Sequence, residues 1–347
     1  MKKILQDYTI DELKRQLEGY SLQKFRYEQI YKWCYEYCDI LEMSNLPLEL
    51  REKLNQEFTS QPIKIEKEFV SVDGTRKFLL RLMDGNLIEC VLMQYKYGNT
   101  ICVSTQVGCR MGCSFCASGI DGLARNLSAG EILSEVLCVN KYLGGTIENR
   151  MITNIVLMGS GEPLDNYDNV VKFIRLVSQP KLINISQRNI SLSTCGIAPK
   201  IKSLADEDLT ITLTISLHSS NDEHRKGIMK IANAYSLDEL MESVRYYFNK
   251  TNRRVVFEYI MLEDNTKYPD ALRLKHLLSG ISSHINLIPV NSTANGTKGI
   301  GKDRQTKFWE HLKKVGITAT TRRTLGSDID GACGQLKRRY EGDKDNV

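Results

Sequence analysis

Residues 107–119 read VGCRMGCSFCASG, and the reading of the whole chain turns on them. Cys109, Cys113 and Cys116 fall within eight residues in a C-x3-C-x2-C spacing. Thiolates are soft ligands suited to iron or zinc. A closed structural zinc site wants four ligands, and no His or fourth Cys lies close by in sequence. Three cysteines on one loop suit a [4Fe–4S] cluster that keeps one iron open. Zinc and a plain redox cluster are the competing readings. Phe115 and the glycines around it fit a chain wrapped tightly about a cluster.

The chain has 347 residues and ten cysteines, too few in too long a chain for a disulfide scaffold. Cys34 and Cys38 have no further ligands nearby and read as ordinary thiols, and Cys195 reads as packing. Hydrophobic content of 41% and charged content of 26% exclude a disordered, collagen-like or coiled-coil chain. No apolar run approaches the roughly 18 residues of a membrane span. The N-terminus MKKILQDYTIDELKRQ lacks the apolar core of a signal peptide. A cytoplasmic protein without membrane contact is therefore expected. The formal charge of +5 is uneven, because residues 298–347 carry twelve Lys and Arg against seven Asp and Glu. A basic C-terminal fifty suggests an acidic partner, with nucleic acid the obvious one, or else a solvated basic face.

On the N-terminal side of the cysteines, residues 1–60 read as a small helical module. Thr9 and Glu12 make a capping-box pattern, and Ile10, Leu13 and Leu17 repeat at helical spacing. In 24-KFRYEQIYKWCYEYC, the basic and aromatic residues can meet RNA or form a packed helix seam, and the seam is favoured. Residues 61–100 read as strands, with Asp73-Gly74 and Asp84-Gly85 as hairpin turns, and so as a linking β-meander.

After the cysteines, strand-like runs alternate with helix-like ones. The runs 152-ITNIVLM, 189-NISLST, 211-ITLTISL, 254-RVVFEYIML, 284-HINLIPV and 317-ITATTR alternate with stretches such as 128-SAGEILSEVLCVNKYL and 236-SLDELMESVRYYFNK. Repeated βα units argue an α/β fold with a parallel sheet and helical cover. Over residues 101–325 this predicts a partial (βα)6 barrel, with residues 326–347 as a C-terminal loop and basic tail. In such folds the site lies at the C-terminal ends of the strands.

A C-x3-C-x2-C loop after the first strand of such a barrel resembles the radical S-adenosylmethionine (SAM) enzymes. The resemblance implies a [4Fe–4S] cluster on Cys109, Cys113 and Cys116. It also implies SAM bound to the open iron and cleaved by one electron to a 5′-deoxyadenosyl radical. Gly161 and Glu162 in 156-VLMGSGEPLDN look like the family's loop for the methionine amino group. By the same resemblance, Ser193, the Ser216-Leu217-His218 turn and Asn291 contact SAM. Ser193 and Ser216 also read as helix caps.

Two further cysteines and a carboxylate narrow the resemblance. Cys333 lies in the Gly-rich 326-GSDIDGACGQLKRR, and Cys102 lies seven residues before the first cluster cysteine. Glu89 lies among apolar neighbours in 87-LIECVLM, where an edge-strand carboxylate facing water is the bland reading. The strings CVSTQVGC, GEPLDN, SLH, NLIPVN and DIDGACGQL together resemble the RlmN/Cfr class of RNA adenine methyltransferases over nearly the whole chain. GEPL and the proline of NLIPVN look more like the RlmN branch, which makes 2-methyladenosine in 23S rRNA and some tRNAs. The Cfr branch methylates carbon-8 and confers antibiotic resistance.

The resemblance implies two SAM molecules per turnover. One methylates Cys333, and the radical from the other takes a hydrogen from that methyl group. The carbon radical adds to adenine. Cys102 then attacks the Cys333 sulfur and releases the base, with Glu89 as proton acceptor. An electron donor such as flavodoxin or ferredoxin and a monomeric state are further expectations. Arg322, Arg323, Lys337, Arg338 and Arg339 flank Cys333 and are expected at RNA phosphates. Three positions depart from the class: Ser160 where Met is common, Lys230 where Pro is usual, and 263-EDNT in place of a Gly-Val-Asn-Asp turn. A radical SAM activase or mutase, which has no use for the Cys102–Cys333 pair, and a non-enzymatic RNA-binding metalloprotein are the alternatives.

Overall fold

The computed structural model describes residues 1–289, 299–323 and 325–329. The N-terminal module comprises β1 (Lys3–Ile4), α1 (Ile10–Gln16), α2 (Lys24–Glu36), α3 (Leu48–Glu57) and β2 (Phe58–Thr59). Thr9 caps α1 as expected, with the Glu12 N–H donating to Thr9 Oγ1 at 3.3 Å and Glu12 Oε2 accepting from the Thr9 N–H at 2.7 Å. The meander follows as β3 (Ile63–Val70), β4 (Arg76–Leu82), β5 (Leu87–Tyr95) and β6 (Gly98–Val103). Its first two turns place Gly74 and Gly85 at φ +85° and +86°, the left-handed backbone that glycine adopts at no steric cost.

A small hairpin, β7 (Gln106–Gly108) with β8 (Leu123–Asn126), carries the cysteine loop at its tip. Six strand–helix units then run around the barrel. They are β6 with α4 (Ala129–Tyr142), β9 (Ile152–Leu157) with α5 (Tyr167–Val177), and β10 (Ile190–Thr194) with α6 (Ala198–Ala205). Next come β11 (Thr212–Ser216) with α7 (Asp222–Ile228) and α8 (Leu237–Thr251), then β12 (Val255–Met261) with α9 (Tyr268–Leu277). The last are β13 (Ser283–Pro289) with α10 (Lys302–Lys314), and β14 (Ala319–Thr321) ends the sheet. Strands β6 and β9 to β14 are mutually parallel, the expected partial (βα)6 barrel.

The meander does more than link. Strand β6 pairs antiparallel with β5 on one side and parallel with β9 on the other, so one ten-stranded sheet runs from β3 to β14. Successive side chains on a strand alternate between faces, and this sheet sorts them by polarity. Ile101, Val103, Ile155, Leu157, Leu192, Leu213, Ile215, Phe257 and Leu287 are buried in the core with Val136, Phe173, Leu240 and Phe308 of the helices. The opposite face carries two register rows, Cys102–Val156–Ser191–Thr212 and Ser216–Glu258–Asn286–Thr320. Both face the barrel interior and are mostly polar.

The N-terminal module is bolted to the barrel. Tyr31 and Tyr35 of α2 pack edge to face at 5.4 Å. Their hydroxyls donate to Gln179 Oε1 and to the Leu176 carbonyl beside α5. This is the packed seam, and it removes these two tyrosines from any RNA surface. Asp7 Oδ1 accepts from the Gly130 N–H at 2.6 Å, placing a carboxylate at the N-terminus of α4. A Cβ on Gly130 would lie 2.6 Å from the Asp7 backbone nitrogen. Gly130→Ala therefore sets a gain in helix propensity of up to about 1 kcal/mol against an overpacking cost of about 1–3 kcal/mol. The collision with backbone wins. Chemical denaturation should show net destabilisation, and a stabilised variant would contradict this docking.

Candidate active site

The cysteine loop closes at its neck. Gly108 has φ +77°, and a Cβ there would stand 2.0 Å from the Gly122 carbonyl oxygen, the atom that accepts from the Cys109 N–H at 2.9 Å. Cys116 N–H donates to the Cys113 carbonyl, and Ser114 N–H to the Ile228 carbonyl after α7. Burial pushes the Cys109 thiol up to about 11 and Cys113 up to about 12. Cys116 raises both further, and Cys109 also raises Cys113, so the three sulfurs share one electrostatic neighbourhood.

Cys109, Cys113 and Cys116 carry unbridged thiols on this one loop, and three thiolates fit a cubane cluster in which each takes its own iron and the fourth iron stays open. Lys230, one of the departures, lays its side chain over this loop, with Nζ 3.1 Å from where a Cβ on Gly112 would be.

Gly161 and Glu162 knit the next loops together. Gly161 has φ +107°, and its Cβ would collide with Gln106 at 2.6 Å. Gln106 Oε1 accepts from the Glu162 N–H at 2.9 Å. The buried Glu162 carboxylate accepts from the Leu164 N–H at 3.0 Å and, from the loop after β10, the Cys195 N–H at 2.7 Å. Burial raises its pKa, against the pull of these hydrogen bonds. Ser160 holds its place through backbone, its N–H on Ser104 Oγ at 2.9 Å and its carbonyl on Thr105 and Gln106.

Arg225, which the sequence analysis did not single out, is fully buried behind these loops. It donates to the Cys195 carbonyl at 2.7 Å and the Leu217 carbonyl at 3.1 Å, leaving Nη1 without a partner. Its charge also lowers the pKa of Cys113. Leu217 is core, with its backbone N–H on the Glu258 carbonyl at 3.0 Å. His218 sits at φ +58°, buried, with its ring edge-on to Phe115 of the cysteine loop at 4.8 Å. Burial and the Arg225 charge lower its pKa from 6.5 to about 3. The ring is therefore neutral, and its Nδ1 accepts from the Ile260 N–H at 3.2 Å. The divergent 263-EDNT loop still braces this turn, because Asn265 Nδ2 donates to the His218 carbonyl at 3.0 Å.

The interior face brings other candidates together. Glu89 shares a face with Val91, which stands opposite Cys102, so Glu89 and Cys102 are neighbours on adjacent strands. Glu89 is not an edge carboxylate facing water. Strand β5 has partners on both sides, and Glu89 is buried with Lys77 Nζ at 3.7 Å. Ser193 and Ser216 hydroxyls lie 3.5 Å apart. Ser193 also hydrogen-bonds Glu258, a second buried carboxylate whose pKa burial raises. Arg322 turns inward to Glu258 at 3.8 Å. Glu258 was legible in principle, as a lone carboxylate inside 254-RVVFEYIML, the signal that marked Glu89. Asn291, Cys333, Lys337, Arg338 and Arg339 lie outside the described residues. The segment leading to Cys333 is anchored, however. Gly326 N–H donates to Asp73 Oδ2 at 2.8 Å, and Asp328 accepts from Ser71 Oγ at 2.5 Å and the Val72 N–H at 3.1 Å.

Two measurements follow. His218 stabilises the fold fully above pH 6.5, its unfolded value, and loses that contribution as pH falls toward 3. Replacing it with Asn, which tolerates the left-handed backbone, should flatten stability against pH in that window by up to about 1.4 kcal/mol per pH unit. Equal slopes for the two proteins would contradict a buried neutral ring. Lys77→Met should cost about 3–5 kcal/mol, since it strands a buried carboxylate. Adding Glu89→Gln should recover most of it, and a double variant no better than the single would exclude the ion pair.

Comparison with known proteins identifies the family. Residues 103–274 match the Radical SAM superfamily, and residues 4–59 match the ribosomal RNA large subunit methyltransferase N-terminal domain. A protein from Clostridium botulinum (strain Alaska E43 / Type E3) named "Probable dual-specificity RNA methyltransferase RlmN" is 52% identical, covering 98% of this chain and 97% of the relative. One of the same name from Clostridium perfringens (strain 13 / Type A) is 52% identical over 98% of both chains. The crystal structure of a radical SAM methyltransferase from Sphaerobacter thermophilus superposes with a TM-score of 0.90 at 38% identity, over 96% of this chain and 98% of that one. With a cubane-compatible cysteine loop on a partial barrel, and relatives matched end to end, the chain belongs to the RlmN family of radical SAM RNA methyltransferases, enzymes that use SAM and a [4Fe–4S] cluster.

Proposed function

We propose that the chain methylates carbon-2 of an adenine in 23S rRNA and in tRNA, with a cysteine as methyl carrier. The names of the relatives and of the matched N-terminal domain support this substrate class. The observation that carries the reading is the placement of Glu89 on the same interior face as Cys102, two residues from its register partner Val91, on the strands leading into the cysteine loop. An activase or mutase needs only the loop and the SAM pocket.

In this reading Cys109, Cys113 and Cys116 hold the cluster. Gly161, Glu162, Ser193, Ser216, Leu217, His218 and Asn291 form the SAM pocket, with Leu217 and His218 acting as its packed wall. Bound there, the cluster supplies the electron for reductive cleavage of SAM, and so the radical chemistry that an unreactive aromatic carbon needs. Cys333 carries the methyl group, and two SAM are consumed per turnover. Glu89 accepts the proton from the adenine carbon, with Lys77 fixing its position. Cys102 attacks the Cys333 sulfur and frees the product, leaving a Cys102–Cys333 disulfide. The target base must leave its stack to reach this interior. Arg322, which also reaches Glu258 at 3.8 Å, and Arg323, with Lys337, Arg338 and Arg339, contact phosphate. The protein works as a cytoplasmic monomer, reduced by a flavodoxin or ferredoxin.

Anaerobic reaction of the reconstituted protein with 23S rRNA fragments and tRNA, read by mass spectrometry of the nucleosides, should yield 2-methyladenosine. Finding 8-methyladenosine instead would overturn the carbon assignment. The Cys102→Ala variant should accumulate a covalent protein–RNA adduct. If it is recovered only free of RNA, Cys102 is not the releasing thiol.

A further inference from the structure

The β5–β6 turn lies at the N-terminal edge of the parallel strands, the opposite edge from the cysteine loop, because β6 begins there at Gly98. It carries Tyr95, Lys96 and Tyr97. The two tyrosine rings are stacked, with centroids 4.9 Å apart and planes 7° from parallel. Tyr97 is 69% exposed, so the stack is open to continue. The turn is rigid. Gly98 has φ +125°, and a Cβ there would lie 2.2 Å from Thr153 Oγ1 of β9.

Both tyrosines line an open cleft of about 320 Å³ that runs along the interior face. Arg188, Asn189, Thr100 and Asn154 line its lower part, and Glu258 and Arg322 also line it. Arg323, on the far edge of the sheet beyond β14, is close enough to act on the Tyr97 phenol. An exposed π face, guanidinium groups and hydrogen-bonding walls match, in turn, the face, the phosphate and the edge of an unpaired nucleotide. A peptide ligand would have no comparable use for the stacked rings with cations beside them.

We propose that Tyr95 and Tyr97 form a stacking platform for an unpaired nucleobase a few nucleotides from the target adenine, with Arg188 and Arg323 on its flanking phosphates. This rests on the RNA reading above and adds the route, since RNA then enters the cleft from the N-terminal edge of the strands. Stacking tolerates any base, so one platform serves two RNAs of different sequence.

The test uses reconstituted holoenzyme and an RNA hairpin whose loop holds an unpaired adenine with 2-aminopurine, a base whose fluorescence is quenched by stacking, placed in turn at each unpaired position on either side of it. The wild-type protein and Tyr97→Trp should quench it. Tyr97→Ala and Tyr97→Leu should lose the quench and bind about tenfold or more weakly, with an unchanged salt dependence. Arg188→Gln should keep the quench and lower the slope of log affinity on log salt by about 0.7. Tyr97 is exposed, so its variants should melt with the wild type, and the Leu variant keeps the bulk if Ala does not fold. Wild-type quenching and affinity in both Tyr97 variants would overturn the platform alone. A wild-type protein that binds no adenine-bearing RNA would overturn the substrate reading, and the platform with it.

Discussion

The buried carboxylate of Glu162 is the knot on which the site depends. It accepts one N–H from its own loop and one from the loop after β10, through Cys195. Cys195 passes the constraint on, because its carbonyl holds Arg225, and Arg225 holds the Leu217 carbonyl at the end of β11. His218, next in sequence, then packs against Phe115 between Cys113 and Cys116. Asn265 closes the circuit from the loop after β12. Loops from four strand ends thus share one set of buried hydrogen bonds, and the cysteine loop packs on it through Phe115. A low-dielectric interior makes each of those bonds strong and each vacancy costly, so the loops hold one arrangement together or not at all.

The barrel interior breaks the usual rule of an apolar core. Lys77 with Glu89, and Glu258 with Ser193, are buried where aliphatic side chains would pack more favourably. Such exceptions concentrate at functional sites. The opposite face of the same strands is mostly apolar and carries the stability that the interior forgoes. Continuity of the sheet matters here as well. Because the meander extends the barrel instead of only preceding it, Glu89 on β5 lies beside Cys102 on β6, on the same interior wall.

Much of this was legible in advance, where the signal was local. The Asp-Gly turns, the Thr9 capping box, the βα alternation and the three-cysteine loop are each set by a few adjacent residues with distinctive geometry. Long-range partners were not legible. Nothing near Arg225 announces that it will be buried behind the cluster loop, and Lys77 in 76-RKFLLRL reads as a surface lysine until β4 is placed between its neighbours. The aromatic run of α2 had two readings that only packing separates. Its tyrosines meet residues 148 and 141 positions away in sequence.

The sequence by itself determined the chemistry available: three soft ligands on one loop, a glycine where the backbone must approach Gln106, and a carboxylate beside it. Those choices follow from atoms within a few residues of one another, so local spacing suffices. Only the tertiary structure decided what each group does next to the others. It turned Leu217 into core, Arg322 inward to Glu258, and His218 into a neutral wall for the cysteine loop. Charge, burial and hydrogen-bond partner all depend on which distant strand lies alongside, and that is a property of the folded sheet.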